Sequence, residues 1–251
     1  MFQSGMSNLT GSIFIGTSGW SYPDWRGTFY PAGLPQKSWF EFYSRQFSSV
    51  EINATFYHLP SLKTVHGWRD HVPPGFVFAI KGSRFITHIK KLAELGDAIR
   101  IFSRRMQPMR RQTGVVLWQL PPSLKRNSRL LDRFLRRLPK AFRHAVEFRN
   151  RSWLDEEIFD ILRRRQIALV SVSSQRMPAD FTVTTDITYV RFHGLIGGAR
   201  HNYSRAELEA WAAHIHRQAC SGNEVYAYFN NDANGCAPAN AALFRQMVEA
   251  E

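Results

Sequence analysis

Eight short apolar or alternating runs, most of them followed by a stretch with helical periodicity, constrain this chain more than anything else in it. They are Ile13–Gly16, Val50–Asn53, Phe76–Lys81, Val115–Leu120, His144–Arg149, Ile167–Ser171, Ile187–His193 and Val225–Phe229. Each is rich in Val, Ile, Phe or Tyr, whose branched or flat side chains suit a pleated surface. Their starts recur at roughly 20 to 40 residues, the spacing of repeated βα units.

Helical patterns fill most of the gaps. Leu92, Leu95, Ile99, Phe102 and Met106 fall on one face of a helix, as do Leu130, Leu131, Phe134, Leu135 and Leu138. Ser204, with Glu207 three residues on, is a capping box opening a helix through Leu208, Trp211, Ala212 and Ile215. Pro238 suits the first turn of a last helix carrying Phe244, Met247 and Val248. The stretch from Ser173 to Asp186 holds Pro178 and no helical pattern, so the crossover between strands six and seven is expected to be irregular.

Strand–helix alternation without a linker argues for one α/β domain over 12–251, with 1–11 as a loose tail. Eight strands favour a TIM (β/α)8-type barrel over an open doubly wound sheet. The chain lacks GxGxxG and GxxxxGK[ST], which weakens a nucleotide-binding open sheet. At 251 residues and 44% hydrophobic it can bury a large core, which excludes disorder. The two cysteines, Cys220 and Cys236, stand in no metal-binding spacing and read as free thiols in a reducing cytoplasm. The N-terminus has no basic start and no apolar core of a signal peptide, and Met6 is an alternative start. No run is long and apolar enough to span a membrane. The net charge of +13 favours anionic partners without choosing among them.

Polar residues interrupt the strands near their ends. Glu51 and Asn53 share one face of their strand while Val50 and Ile52 share the other; Glu147 with Arg149, and Arg191 with His193, repeat the pattern. Strand three ends at Lys81, strand four carries Gln119, and strand eight runs into Asn230-Asn231-Asp232. In a barrel the apolar parity packs on helices and the other points inward, so these groups are expected to converge at the C-terminal mouth, where barrel enzymes place their sites. One Glu–Arg pair is as readily a structural ion pair. Six strands with polar ends on one side favour a ligand site.

The same residues carry a family resemblance. Gly16-Thr17-Ser18-Gly19-Trp20-Ser21-Tyr22 with Trp25, Val50-Glu51-Ile52-Asn53 with Phe56-Tyr57, Gln119-Leu120-Pro121-Pro122, Glu147-Phe148-Arg149 with Ser152-Trp153, Arg191-Phe192-His193-Gly194 and Tyr228-Phe229-Asn230-Asn231-Asp232 together resemble the YecE-like family, domain of unknown function number 72. The motifs appear in family order along nearly the whole chain. The resemblance implies a TIM barrel and no established reaction. Likeness in shape to metal-dependent barrels such as endonuclease IV and xylose isomerase, with nucleic-acid binding, has been suggested for that family. Where members often carry an acidic residue after strand six, this chain has Ser171-Val172-Ser173-Ser174.

The leading expectation is an enzyme acting on a small carboxylate- or phosphate-bearing anion. Glu51 and Glu147, on opposite sides of the mouth, orient or exchange protons; Lys81, Arg149 and Arg191 neutralise charge. His193 is the acid/base candidate because histidine titrates near neutral pH. Asn53, Gln119, Asn230 and Asp232 position the ligand, and Trp20, Tyr22, Trp25 and Tyr57 are available to stack on a ring or to close the barrel. Gly194 through Arg200 reads as a phosphate-cradling turn or as a plain surface loop. No cofactor is required; Glu51, Glu147, His193 and Asp232, with His58 more distant, leave one weakly held divalent ion open. Arginine runs on the helices, among them Arg104-Arg105, Arg110-Arg111, Arg133, Arg136, Arg137 and Arg163-Arg164-Arg165, read as solvated faces or as a nucleic-acid-binding exterior. A non-catalytic ligand-binding barrel is the third alternative.

Overall fold

The computed structural model describes residues 10–250. Eight parallel strands form a nearly closed barrel: β1 Ile13–Thr17, β2 Ser49–Ile52, β3 Val77–Lys81, β4 Thr113–Gln119, β5 His144–Glu147, β6 Ala168–Ser173, β7 Ile187–Phe192 and β8 Glu224–Phe229. Helices α1 Trp39–Gln46, α2 Ala54–Tyr57, α3 Leu62–Asp70, α4 Ala98–Met106, α5 Ser128–Arg136, α6 Glu156–Arg165, α7 Arg205–Cys220 and α8 Cys236–Ala250 lie in the connections. Residues 174–186, between β6 and β7, form neither helix nor strand. The expected tail falls outside the described residues up to residue 9, as does Met6; beyond it, the Gly11 amide donates to the carbonyl of Ala219 at 2.9 Å.

Alternation along the strands produces two apolar clusters. Val50, Ile52, Phe78, Ile80, Val146, Val190, Phe192 and Phe229 face outward and pack under the helices. Ala79, Leu117, Ala145, Val170, Tyr189 and Tyr228 fill the barrel interior. The parity read from the sequence therefore separates inside from outside as expected.

Strands β1 and β2 share no continuous backbone ladder, and the seam is closed by a side chain. The Tyr43 hydroxyl accepts from the Thr17 amide at 2.9 Å and donates to the Ser49 carbonyl at 3.0 Å. Beyond it, Ser18 and Glu51 form a single parallel bridge. Gly16 permits this approach, because a Cβ there would stand 2.2 Å from the Ser49 carbonyl oxygen.

The expectation of one helical face from Leu92 to Met106 needs correction. Helix α4 starts only at Ala98, and Lys91, Leu92, Glu94 and Gly96 all adopt positive φ. A single helix cannot run through left-handed residues; Leu92 and Leu95 nevertheless reach the core from the irregular segment. The capping box is present: Ser204 and Glu207 satisfy each other's backbone at the start of α7.

Candidate functional site

The polar strand ends meet inside the barrel around Arg191. From β7 its guanidinium donates through Nη2 to Glu51 Oε1 and through Nη1 to Glu147 Oε2, both at 2.6 Å. The three side chains are wholly buried. Nη2 also reaches Asn230 Oδ1 at 3.2 Å. Residues from β2, β5, β7 and the end of β8 thus share one cation, because inward parity places Glu51, Glu147, Arg191 and Asn230 in the last polar layer below the mouth.

Each carboxylate is further committed. Glu51 accepts from Tyr189 at 2.6 Å and from Ser18 at 2.7 Å. Glu147 accepts from Gln119 at 3.1 Å and is ion-paired with Arg149. Burial alone would raise both acids, but Arg191 and Lys81 outweigh it at Glu51, and Arg149 and Arg191 hold Glu147 well below the carboxylate range. The sequence placed the two acids on opposite sides of an open mouth. In the structure one guanidinium bridges them beneath the surface, both stay ionised, and neither is exposed.

His193 follows the end of β7 and lies 3.1 Å from Glu147 Oε1. Arg149 Nη2 lies 2.8 Å from its Nε2. Burial, with the charges of Arg191 and Arg149, pushes its pKa down to about 4 despite Glu147. Titration near neutral pH, the reason for choosing this residue, is therefore not what its surroundings give; it is neutral at pH 7. Asn53 and Arg149, expected within strands, likewise lie just beyond β2 and β5.

Lys81, the last residue of β3, differs from the other cations. Its Nζ stands 4.4 Å from the Phe56 ring centroid, and among the described residues no carboxylate lies within ion-pair distance. Burial, helped by Arg191, lowers its pKa to about 8 against the pull of Glu51 and Glu147. His88, packed on Phe56, is pushed down to about 4 by burial and by Lys81.

Other expected residues sit higher. Asn53 donates to the Ser18 carbonyl at 3.1 Å, and its Oδ1 is buried without a partner among the described residues. Tyr22 donates to the same carbonyl at 2.6 Å. Burial raises the Asp232 carboxyl, and its backbone carbonyl accepts from the fully buried Trp25 indole at 2.6 Å. Trp20 packs on Phe40, with centroids 4.4 Å apart, while Tyr57 is exposed. Trp20 and Trp25 thus pack against the body of the barrel, and Tyr57 is left for solvent or ligand. After β7, Gly194, Gly197 and Gly198 take positive φ in a tight turn. Strand β6 sends only Ala168, Val170 and Val172 inward, so it brings no charge to the mouth. Among the described residues, no three His, Cys, Asp or Glu side chains gather as metal ligands would. His58 is exposed. Cys220 and Cys236 are free, and no described helix is long and apolar enough to cross a membrane.

Three participants were not singled out from the sequence. Tyr189 shares the parity of Arg191 and His193, and counting two residues back along β7 would have found it. Ser18 continues the inward parity of β1 and could have been found by the same count, whereas His88 carries no such signal, because the short helical turn Phe85–Ile89 brings it in.

A family model described as "Protein of unknown function DUF72" matches residues 14–251. The chain belongs to the DUF72 family. This DUF72 protein is 24% identical to the UPF0759 protein YunF of Bacillus subtilis (strain 168), over 95% of each chain. Its fold matches the crystal structure of a DUF72 family protein from Thermotoga maritima MSB8 with a TM-score of 0.87 and 30% identity, covering 95% of this chain and 99% of that one. A DUF72 family protein from Enterococcus faecalis V583 matches with a TM-score of 0.79 at 20% identity, covering 94% of this chain and 95% of that one, and supports the fold alone. The two solved structures share this fold, and none of the three names states a reaction.

Proposed function

We propose that the mouth of this barrel binds a small carboxylate- or phosphate-bearing anion and acts on it as an enzyme. The observation that carries the reading is a charge imbalance: among the described residues, Lys81, Arg149 and Arg191 face only Glu51 and Glu147, and Lys81 is the cation left without a carboxylate partner. A cation with little access to water gains strongly from an anion that completes its pairing. Arg191 would hold the floor together. Lys81 and the partly exposed Arg149 would meet the ligand, with Asn53 and Tyr22 at the rim. His193, neutral and with its Nε2 against Arg149, would orient that guanidinium toward the ligand.

The test is calorimetric titration with inorganic phosphate and citrate. Binding is expected in the parent protein and loss of at least tenfold in affinity in Lys81→Met and Arg149→Met. Unchanged binding in both variants would overturn the reading.

A second reading rests on a separate surface. Two clefts of about 540 and 610 Å³ adjoin at Gln107; one is lined by Arg100, Arg104 and Arg137, the other by Arg69, Arg110 and Arg111. Arg100 and Arg69 are neutralised by Asp97 and Asp70, whereas Arg104, Arg110 and Arg111 make no ion pair among the described residues. This exterior would engage nucleic-acid phosphates without base readout. Steep weakening of DNA or RNA retention with salt, lost in Arg104→Glu/Arg111→Glu, would support it; retention unaltered in that variant would remove it.

A further inference from the structure

Buried lysines usually find a carboxylate, and this barrel offers two within its polar layer. Both are taken by arginines. Arg191 bridges Glu51 and Glu147, and Arg149 pairs with Glu147 as well. Lys81 is left with an aromatic face on one side, 4.4 Å away. Its Nζ has no hydrogen-bond partner among the described residues, yet it is not one of the sealed polar atoms, as Arg191 Nε is. The residue remains 8% exposed, at the end of β3 facing the mouth. Asn53, just past β2, is turned instead to the Ser18 carbonyl, and its Oδ1 is a sealed acceptor without a donor among the described residues.

An ion-paired lysine is a poor nucleophile because its lone pair carries a proton. A desolvated lysine next to other cations holds that proton weakly. Burial, helped by Arg191, lowers the Lys81 pKa to about 8, so loss of the proton comes closer to neutral pH than for an ordinary lysine. The site thus combines a reachable amine and a neighbouring guanidinium for an anion.

We propose that Lys81 is a carbonyl-reactive amine, condensing with the aldehyde or ketone of a small substrate whose carboxylate or phosphate is held by Arg149. The inference rests on the anion-binding reading above and narrows its substrate class to oxo acids or phosphorylated carbonyl compounds. In the first step the Nζ lone pair attacks the carbonyl carbon; a C–N bond forms, the C=O π pair moves to oxygen, and one amine proton follows it. In the second step the nitrogen lone pair expels that oxygen with the remaining amine proton. Water leaves and an imine remains, with no oxidant or reductant consumed.

The experiment uses the full chain, glyoxylate as an aldehyde bearing a carboxylate, and acetaldehyde as one without. Sodium cyanoborohydride traps any imine, and peptide mass spectrometry assigns it among Lys37, Lys63, Lys81, Lys90, Lys91, Lys125 and Lys140. Lys81 is expected to take most of the glyoxylate adduct, at least tenfold above any other lysine and above its own acetaldehyde adduct. Inorganic phosphate should suppress it, and trapping should increase as pH rises through 8. Lys81→Met, checked for an intact melting transition, should remove that peptide adduct alone. Adducts spread evenly over the seven lysines, with phosphate still bound in calorimetry, would overturn the imine and leave the anion site standing. Lys81 labelling equal for both aldehydes and indifferent to phosphate would overturn the anchoring role of Arg149. Failure of phosphate to bind at all would sink the anion-site reading itself, independently of the adduct map.

Discussion

Arg191 and Glu51 join β7 to β2, strands that share no backbone hydrogen bonds, through a 2.6 Å contact inside the barrel. Glu147 on β5 takes the other arm of the same guanidinium. A pair that looks structural when viewed strand by strand is a three-strand clamp beneath a cationic mouth. Its energetics differ from those of a surface ion pair, because every member is out of water.

Removing the cation should therefore cost far more than removing the whole set. Arg191→Met leaves the buried Glu51 without its guanidinium partner and Glu147 with Arg149 alone, and is expected to lose about 3–5 kcal/mol or to fail to fold. Combining it with Glu51→Gln and Glu147→Gln should recover much of that loss. Urea denaturation of the single and triple variants checks this; equal stability of the two would mean the carboxylates are not held by Arg191.

The Tyr189 hydroxyl offers a milder test of the same clamp. Tyr189→Phe removes the 2.6 Å donor to Glu51 and leaves a buried charge under-satisfied, so a loss of about 1–3 kcal/mol is expected. Burial, followed by Glu51, raises the Tyr189 phenol well above its ordinary range, so no tyrosinate signal from this residue should appear in alkaline difference spectra while the protein is folded.

Acid should weaken the fold in two stages. His193 and His144 are both lowered to about 4 from 6.5, chiefly by burial, so the unfolded chain binds their protons more tightly. Stability present above about pH 6.5 is lost as pH falls toward 4. Glu51 and Glu147 are depressed below their ordinary value, and their contribution is lost at still lower pH. Melting temperatures of the parent and of His193→Gln between pH 4 and 7 should converge partly at the acid end; parallel curves would contradict a buried neutral His193.

Lys81 acts in the alkaline range with the same sign. Its folded value of about 8 lies below the ordinary 10.5, so the unfolded chain retains the proton between those values and stability rises with pH across the window. Lys81→Met should be more stable than the parent at pH 7 and should lack that rise. A parent protein whose stability is flat from pH 8 to 10 would show that the ammonium is solvated.

The seam between β1 and β2 should be unusually sensitive. Gly16→Ala places a Cβ 2.2 Å from the Ser49 carbonyl oxygen, a backbone atom that cannot swing aside. Tyr43→Phe removes the hydroxyl bridging Thr17 and Ser49, with an expected cost of about 1–3 kcal/mol. Faster amide exchange at Thr17 in Tyr43→Phe would report the opened seam, and unchanged protection would mean the strands hold without it.

The sequence by itself determined the order and the parity of the strands, because an apolar face under the helices and a partly polar face toward the barrel axis impose a period of two that Val50/Ile52 against Glu51/Asn53, and Val190/Phe192 against Arg191/His193, display openly. It also marked the helix start at Ser204, since a cap is a local hydrogen-bonding event. What it could not decide was which charges neutralise which. The partners of Arg191 lie 140 and 44 residues away, and only barrel closure sets those distances. The same closure shut Glu51 and Glu147 below the surface, moved His193 away from neutral titration, and left Lys81 without a carboxylate. Charge, protonation and reactivity depend on dielectric and on neighbours within a few ångströms, and both are properties of the folded space rather than of the order of residues.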